Sequence, residues 1–178
     1  VKLIFLDVDG VLNDHSKFSN GYCGIQGQPV RELNRILAEI PDARIVLTSA
    51  WRYLVTNGSM TLAGLEALLL SHGVDCYRRV LAITYTDEHM ARVLGRPVQP
   101  AISAEEWFAW IKEHGIMTRE RQIARFLDTV PREEMGGYVV LDDLALDVPH
   151  FVQTDGLVGL TAADADCAIA ILKGADRG

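Results

Sequence analysis

The sequence predicts a three-layer α/β fold in which a mainly parallel sheet carries helices on both faces. Three observations predict it. Short apolar, β-branched runs alternate with segments of helical period along most of the 178 residues. Those short runs have no polar face, as expected of strands buried on both sides. The chain is 49% apolar, enough for one proper core at a length too short to favour two full domains, so a single domain over residues 1–178 is expected.

Taken in order, Lys2 to Leu6 reads as a buried strand that ends abruptly in the polar DVDG. Residues 13 to 28 are rich in Gly, Ser and Asn without periodicity, so a small flap is expected over that strand end. Pro29 opens a helix in which Val30, Leu33, Ile36, Leu37 and Ile40 recur at helical spacing, and Pro41 closes the segment. Arg44 to Leu47 is the second strand, followed after a polar stretch by a helix around Leu62 to Ser71, stopped by Gly73, and a third strand from Arg79 to Thr84. Residues 85 to 117 mix Pro-containing irregular chain with Trp107, Phe108, Trp110 and Ile111, and read as a modest insertion without a large cap. A helix from about Arg119 to Thr129 precedes the strand Tyr138 to Leu141, which runs directly into Asp142 and Asp143. Phe151 to Thr154 completes the strands, and Thr161 with Asp164 forms a capping box for a helix ending near Gly174.

The chemistry-bearing residues stand where strands stop, and a parallel sheet binds ligands outside the carboxyl ends of its strands. Asp7 and Asp9 are two apart on extended chain, so both side chains can serve one site, and Gly10 lets the backbone turn there. Two neighbouring carboxylates repel unless one holds a proton or a cation lies between them. Taken alone, D-x-D-G is an ordinary solvated turn. Asp142, Asp143 and Asp147, after a second strand, bring five acids to one sheet edge and change that reading. Mg2+ is the natural counterion: it takes one or two direct carboxylates, keeps several waters and binds substrate phosphate. A structural calcium site is the alternative, but these acids lie on separate strands and not in one ligand loop. Thr48 and Ser49 follow an apolar strand, where a hydroxyl and a backbone N–H suit a phosphate oxygen; Arg119 or Arg121, at the start of a helix, supplies a cation for a transferring phosphoryl group. Trp51 and Arg52 are candidates to stack on and clamp a base or sugar, with simple packing as the competing reading.

These four elements in this order resemble the haloacid dehalogenase (HAD) superfamily of phosphohydrolases, whose pattern is D-x-D-G, Thr or Ser after a strand, Lys or Arg, and a late acidic motif. The resemblance implies a Rossmann-like, HAD-like fold and a Mg2+-dependent phosphatase. By position it makes Asp7 the nucleophile that becomes an aspartyl-phosphate, Asp9 the general acid and base, Thr48 the phosphate-binding hydroxyl with Ser49 its competitor, and Arg119 the basic element with Arg121 second. The metal would be held by Asp7, the Asp9 backbone carbonyl and Asp143, with Asp142 and Asp147 supporting. More narrowly, DVDGVLN, LTSAWR, VVLDDLALD and HFVQTDGLVGLT resemble small domains of this superfamily associated with RNA repair. That match implies removal of a terminal phosphate from a nucleic-acid end or a nucleotide.

Composition sets limits on partners. A net charge of −7 argues against a protein that coats extended nucleic acid, while leaving one phosphorylated end or a phosphorylated small molecule as substrate. Cys23, Cys76 and Cys167 form no C-x-x-C pair and suggest neither zinc nor a disulfide framework, which fits a reducing cytoplasm. No run approaches the apolar length of a membrane span, so no membrane partner is expected. Two competing readings stay within phosphate chemistry: a phospho-accepting or Mg2+-dependent binding module without turnover, and a phosphotransferase of the same fold.

Overall fold

The structure, a computed structural model, describes residues 1–14, 24–25, 27–56, 58–84 and 118–174. The insertion expected at 85–117 and most of the flap expected at 13–28 lie outside the described residues. In chain order the elements are β1 (Lys2–Leu6), α1 (Gln28–Glu39), β2 (Ala43–Leu47), α2 (Arg52–Thr56), α3 (Leu62–Ser71), β3 (Val80–Ile83), α4 (Arg119–Leu127), β4 (Gly137–Asp142), β5 (Phe151–Gln153) and α5 (Ala162–Gly174). The strands form one sheet of order β3-β2-β1-β4-β5, and every neighbouring pair is parallel. This is the expected α/β architecture, and no cap domain is present among the described residues.

Alternation along β1 divides the core. Ile4 and Leu6 face α1, α3 and α5, in a cluster with Leu33, Leu65, Leu69, Ala168 and Leu172. Leu3 and Phe5 face the other way, onto Ile123 and Phe126 of α4, with the Phe5 and Phe126 rings edge to face at 5.6 Å. Helices therefore cover both faces and make β1 completely buried. Removing each such Leu or Ile side chain from water contributes about 1.5–3 kcal/mol, which is why the central strands read as unbroken apolar runs.

Local signals locate the helices. Pro29 in the first turn starts α1, whose buried Val30, Leu33, Ile36 and Leu37 lie on one face. Thr118 caps α4, accepting from the Arg121 N–H. At α5, Thr161 N–H and Oγ1 both donate to Asp164 Oδ2, at 2.9 and 2.6 Å, and the Asp164 N–H donates back to Thr161 Oγ1, so the expected capping box is formed. The single helical turn of α2 falls in a stretch expected only to be polar; five residues are too few to show a period. Two late contacts close the region over β1. Thr154 Oγ1 donates to Gly10 O at 2.8 Å, and Leu160 N–H donates to Val11 O at 2.8 Å. Gly159 makes this approach possible: with φ of +78° it takes the left-handed conformation, and a Cβ there would stand 2.8 Å from Pro29 Cγ.

Candidate active site

The sheet register assembles the site. Leu6 of β1 is level with Leu47 of β2 and Leu141 of β4, so one residue further on Asp7, Thr48 and Asp142 form the next rung. Backbone bonds extend the ladder to that rung, with Asp7 N–H donating to Leu141 O at 3.0 Å and Thr48 N–H to Leu6 O at 2.9 Å. Side chains alternate along a strand, so Asp7, Thr48 and Asp142 share the α4 face with Phe5, Val46 and Val140. Neighbouring strands are about 4.8 Å apart, which makes the rung a row of polar groups at ligand spacing. Gly10, with φ of 76°, turns the chain away immediately beyond.

Arg119 enters the rung from α4. It lies at the start of that helix on the face that buries Ile123 and Phe126, at spacings of four and seven residues. Its Nη1 donates to Asp7 Oδ2 at 2.6 Å and also to Asp142 Oδ2. Arg121 is exposed, since two residues turn a helix by about 200°. The two arginines that the sequence left as alternatives are thus separated by helix geometry.

One guanidinium between two buried carboxylates leaves the trio with a net negative charge. Burial pushes the Asp142 carboxyl up to about 6, and the adjacent Asp7 charge adds to that rise against the opposing pull of Arg119. Burial alone would lower the Arg119 pKa, but the charges of Asp7 and Asp142 outweigh it and raise it, so the guanidinium stays charged. The second oxygen of each acid is also held: Asp7 Oδ1 accepts from Val8 N–H at 2.8 Å and Asp142 Oδ1 from Leu144 N–H at 3.0 Å.

Thr48 and Ser49 are both fully buried but differ in what their hydroxyls do. Ser49 Oγ accepts from Trp51 N–H at 3.4 Å, a local turn contact. Thr48 Oγ1, on the Asp7 rung, is buried with no hydrogen-bond partner among the described residues. An unpaired buried hydroxyl costs about 1–3 kcal/mol, and Thr48 Oγ1 stands on the same rung as Asp7.

Asp9 belongs to a second, adjacent group. Its carboxylate accepts from Trp51 Nε1 at 3.3 and 3.2 Å and from Asn13 Nδ2 at 3.0 Å. Trp51 therefore joins the site through its N–H, in addition to any stacking by its ring. Arg52 is 6% exposed and turned inward, donating from Nη1 to Thr48 O and, at 3.0 Å, to Ser49 O; it braces the turn after β2 and is not extended as a clamp. Asn13 and Thr154 had not been singled out in the sequence. For Asn13 the signal was a polar residue closing the run DVDGVLN; Thr154 had no signal beyond its place at a strand end.

Among the described residues, the carboxylates close enough to share a cation are Asp7, Asp142 and Asp143, each offering one oxygen within 4.8 Å of the others. This hard oxygen set with net negative charge fits Mg2+, which needs only one or two carboxylates and completes its shell with water. The Asp9 side chain and Asp147 stand outside this group. Leu146 and Val148 pack inward against the α4-side core, which turns the intervening Asp147 out to an exposed position.

Comparison with protein families matches residues 3–165 to the HAD domain in Swiss Army Knife RNA repair proteins. The chain belongs to this family. No curated protein matches it, and no solved structure does. The HAD family supports a phosphatase-like role, and the observed sheet with its helices on both faces agrees with that fold. Among the described residues no helix is long and apolar enough to cross a membrane.

Proposed function

We propose that this HAD domain is a Mg2+-dependent phosphomonoesterase working through an aspartyl-phosphate on Asp7, with a terminal phosphate on a nucleic-acid end or nucleotide as substrate. The observation that carries the reading is the Asp7 rung: a carboxylate at a strand end, flanked by a buried Thr48 hydroxyl with no partner among the described residues and by the Arg119 guanidinium. The family's description, RNA repair, supports the nucleic-acid end as substrate class.

In this reading an Asp7 carboxylate oxygen attacks phosphorus while the bond from phosphorus to the ester oxygen breaks, and Asp9 gives its carboxyl proton to that departing oxygen. Thr48 Oγ–H donates to a non-bridging phosphoryl oxygen, and Arg119 offsets the charge that gathers on the phosphoryl group. In the second half, water attacks phosphorus as Asp9 takes its proton, the Asp7–phosphorus bond breaks, and inorganic phosphate leaves. Asp7, Asp142 and Asp143 would hold Mg2+. When bound, that ion supplies positive charge to orient the phosphate and to reduce repulsion between it and the attacking carboxylate. Cys76, with its thiol pushed up to about 12 by burial, is unreactive, and Cys167 is an exposed free cysteine; both suit the reducing cytoplasm to which this reading assigns the domain.

The test is phosphate release from 3′- and 5′-phosphorylated RNA and DNA ends, mononucleotides and an aryl phosphate, with Mg2+ or EDTA. Mg2+-dependent release that disappears in Asp7→Asn is expected, with a preference for one polynucleotide end. Full activity of Asp7→Asn would remove the covalent mechanism, preference for small esters would shift the substrate to metabolites, and stable phosphorylation without release would point to a binding module.

A further inference from the structure

Asp9 is gripped from two different elements. Asn13, 2% exposed in the turn after β1, donates Nδ2–H to Asp9 Oδ1 at 3.0 Å while its own Oδ1 accepts from Gly10 N–H at 2.9 Å. Trp51, in the turn after β2, brings its indole N–H to 3.3 and 3.2 Å from the two Asp9 oxygens. The Trp51 ring packs against the core cluster beneath, and its backbone N–H is tied to Ser49 Oγ at 3.4 Å. Arg52, next in sequence, is anchored to the Thr48 and Ser49 carbonyls. The indole therefore projects from a braced turn.

The chemistry of the grip is one-sided. An indole N–H donates and has no lone pair to accept, and the Asn13 amide meets Asp9 through its NH2. Neither partner can take a proton from Asp9. The donors that hold Asp9 are distinct from the Arg119 guanidinium that joins Asp7 and Asp142.

We propose that Trp51 and Asn13 are positioning residues that aim the Asp9 carboxyl at the ester oxygen of the substrate. This inference rests on the phosphomonoesterase reading. It assigns Trp51 a role through Asp9 that base stacking would not require.

Protonation of a leaving oxygen matters most when that oxygen is a poor leaving group. The test therefore compares kcat/KM for Trp51→Phe and wild type over a series of phosphate monoesters, from nitrophenyl phosphates to simple alkyl phosphates, at fixed Mg2+. Phenylalanine keeps the packing and removes the N–H. A displaced catalytic group typically costs up to about 100-fold in rate. We expect kcat/KM to fall roughly 10- to 100-fold for alkyl esters and only a few-fold for the nitrophenyl ester, steepening the leaving-group dependence, with Asn13→Ala tilting it in the same sense. An equal loss across the series, or no loss, overturns the positioning role and leaves the phosphatase reading standing. Silence of the wild-type protein on every ester overturns both. A structural readout stands beside these: the indole N–H resonance of Trp51, identified by its loss in Trp51→Phe, should move on Asp9→Ala in metal-free protein. An unmoved resonance overturns the grip itself.

Discussion

Replacing Asp142 by Asn tests the electrostatics of the site most directly. The wild-type carboxyl is raised from 3.8 to about 6, chiefly by burial and with a contribution from the neighbouring Asp7 charge. A raised carboxyl pKa means that the folded chain holds this proton more tightly than the unfolded chain. Stability from this group is therefore fully present below the unfolded value and is lost as pH rises through the folded one. A shift of roughly two units at 1.36 kcal/mol per unit amounts to about 3 kcal/mol lost at neutral pH. Asn removes that charge but offers one acceptor oxygen where Asp142 uses two, one for Arg119 and one for Leu144 N–H. The hydrogen bond forfeited costs about 1 kcal/mol. In EDTA at pH 7.5 the variant should therefore be more stable than wild type by about 2 kcal/mol, measured by urea unfolding. The advantage should shrink as pH falls from 7 towards 4 and reverse there, because the wild-type carboxyl is then protonated. Mg2+ should stabilise wild type more than the variant, since one of three clustered acids is gone and Asp7 and Asp143 remain. A variant less stable than wild type at pH 7.5 in EDTA, or a difference that does not change with pH, would refute the reasoning by showing that the Arg119 ion pair outweighs burial.

Two further outcomes follow from the same structure. Arg119→Ala removes the cation shared by two buried acids and should destabilise the metal-free protein by about 3 kcal/mol, with Mg2+ restoring a larger share than it adds to wild type; equal Mg2+ stabilisation of both proteins in thermal melts would show that the guanidinium does not offset the same charges as the ion. Thr161→Ala breaks the capping box of α5 and should cost about 1 kcal/mol in urea unfolding while leaving phosphate release unchanged, and a large fall in activity would mean that this helix end is coupled to the site.

Much of the site could be read in the sequence because its chemistry is local. Asp7 and Asp9 stand at the end of an unbroken apolar strand, Asp142 and Asp143 at the end of another, and such strands in a parallel sheet finish on one edge. Arg119 was legible for a similar reason: Ile123 four residues on and Phe126 seven on mark its helix face. What was not legible depended on contacts between turns far apart in the chain. Trp51 to Asp9 spans 42 residues and Thr154 to Gly10 spans 144, and no periodicity encodes either. Asp147 looked like a site residue because it follows VVLDDLAL, but inward packing of Leu146 and Val148 turns it out. Arg52, a candidate clamp by its place in LTSAWR, donates from its guanidinium to the carbonyls behind it, a contact between side chain and turn that the sequence does not encode.

By itself, then, the sequence determined the alternation of strands and helices, the family and the residue types available for chemistry, because apolar period and strand-end polarity are properties of short windows. Only the tertiary structure decided which of those residues share a rung, that one guanidinium serves two carboxylates, that among the described residues the Thr48 hydroxyl has no partner while that of Ser49 has one, and that Asp9 is held by an indole. Those facts arise from sheet register and from turns packed against one another, and side-chain direction there is set by neighbours distant in the chain.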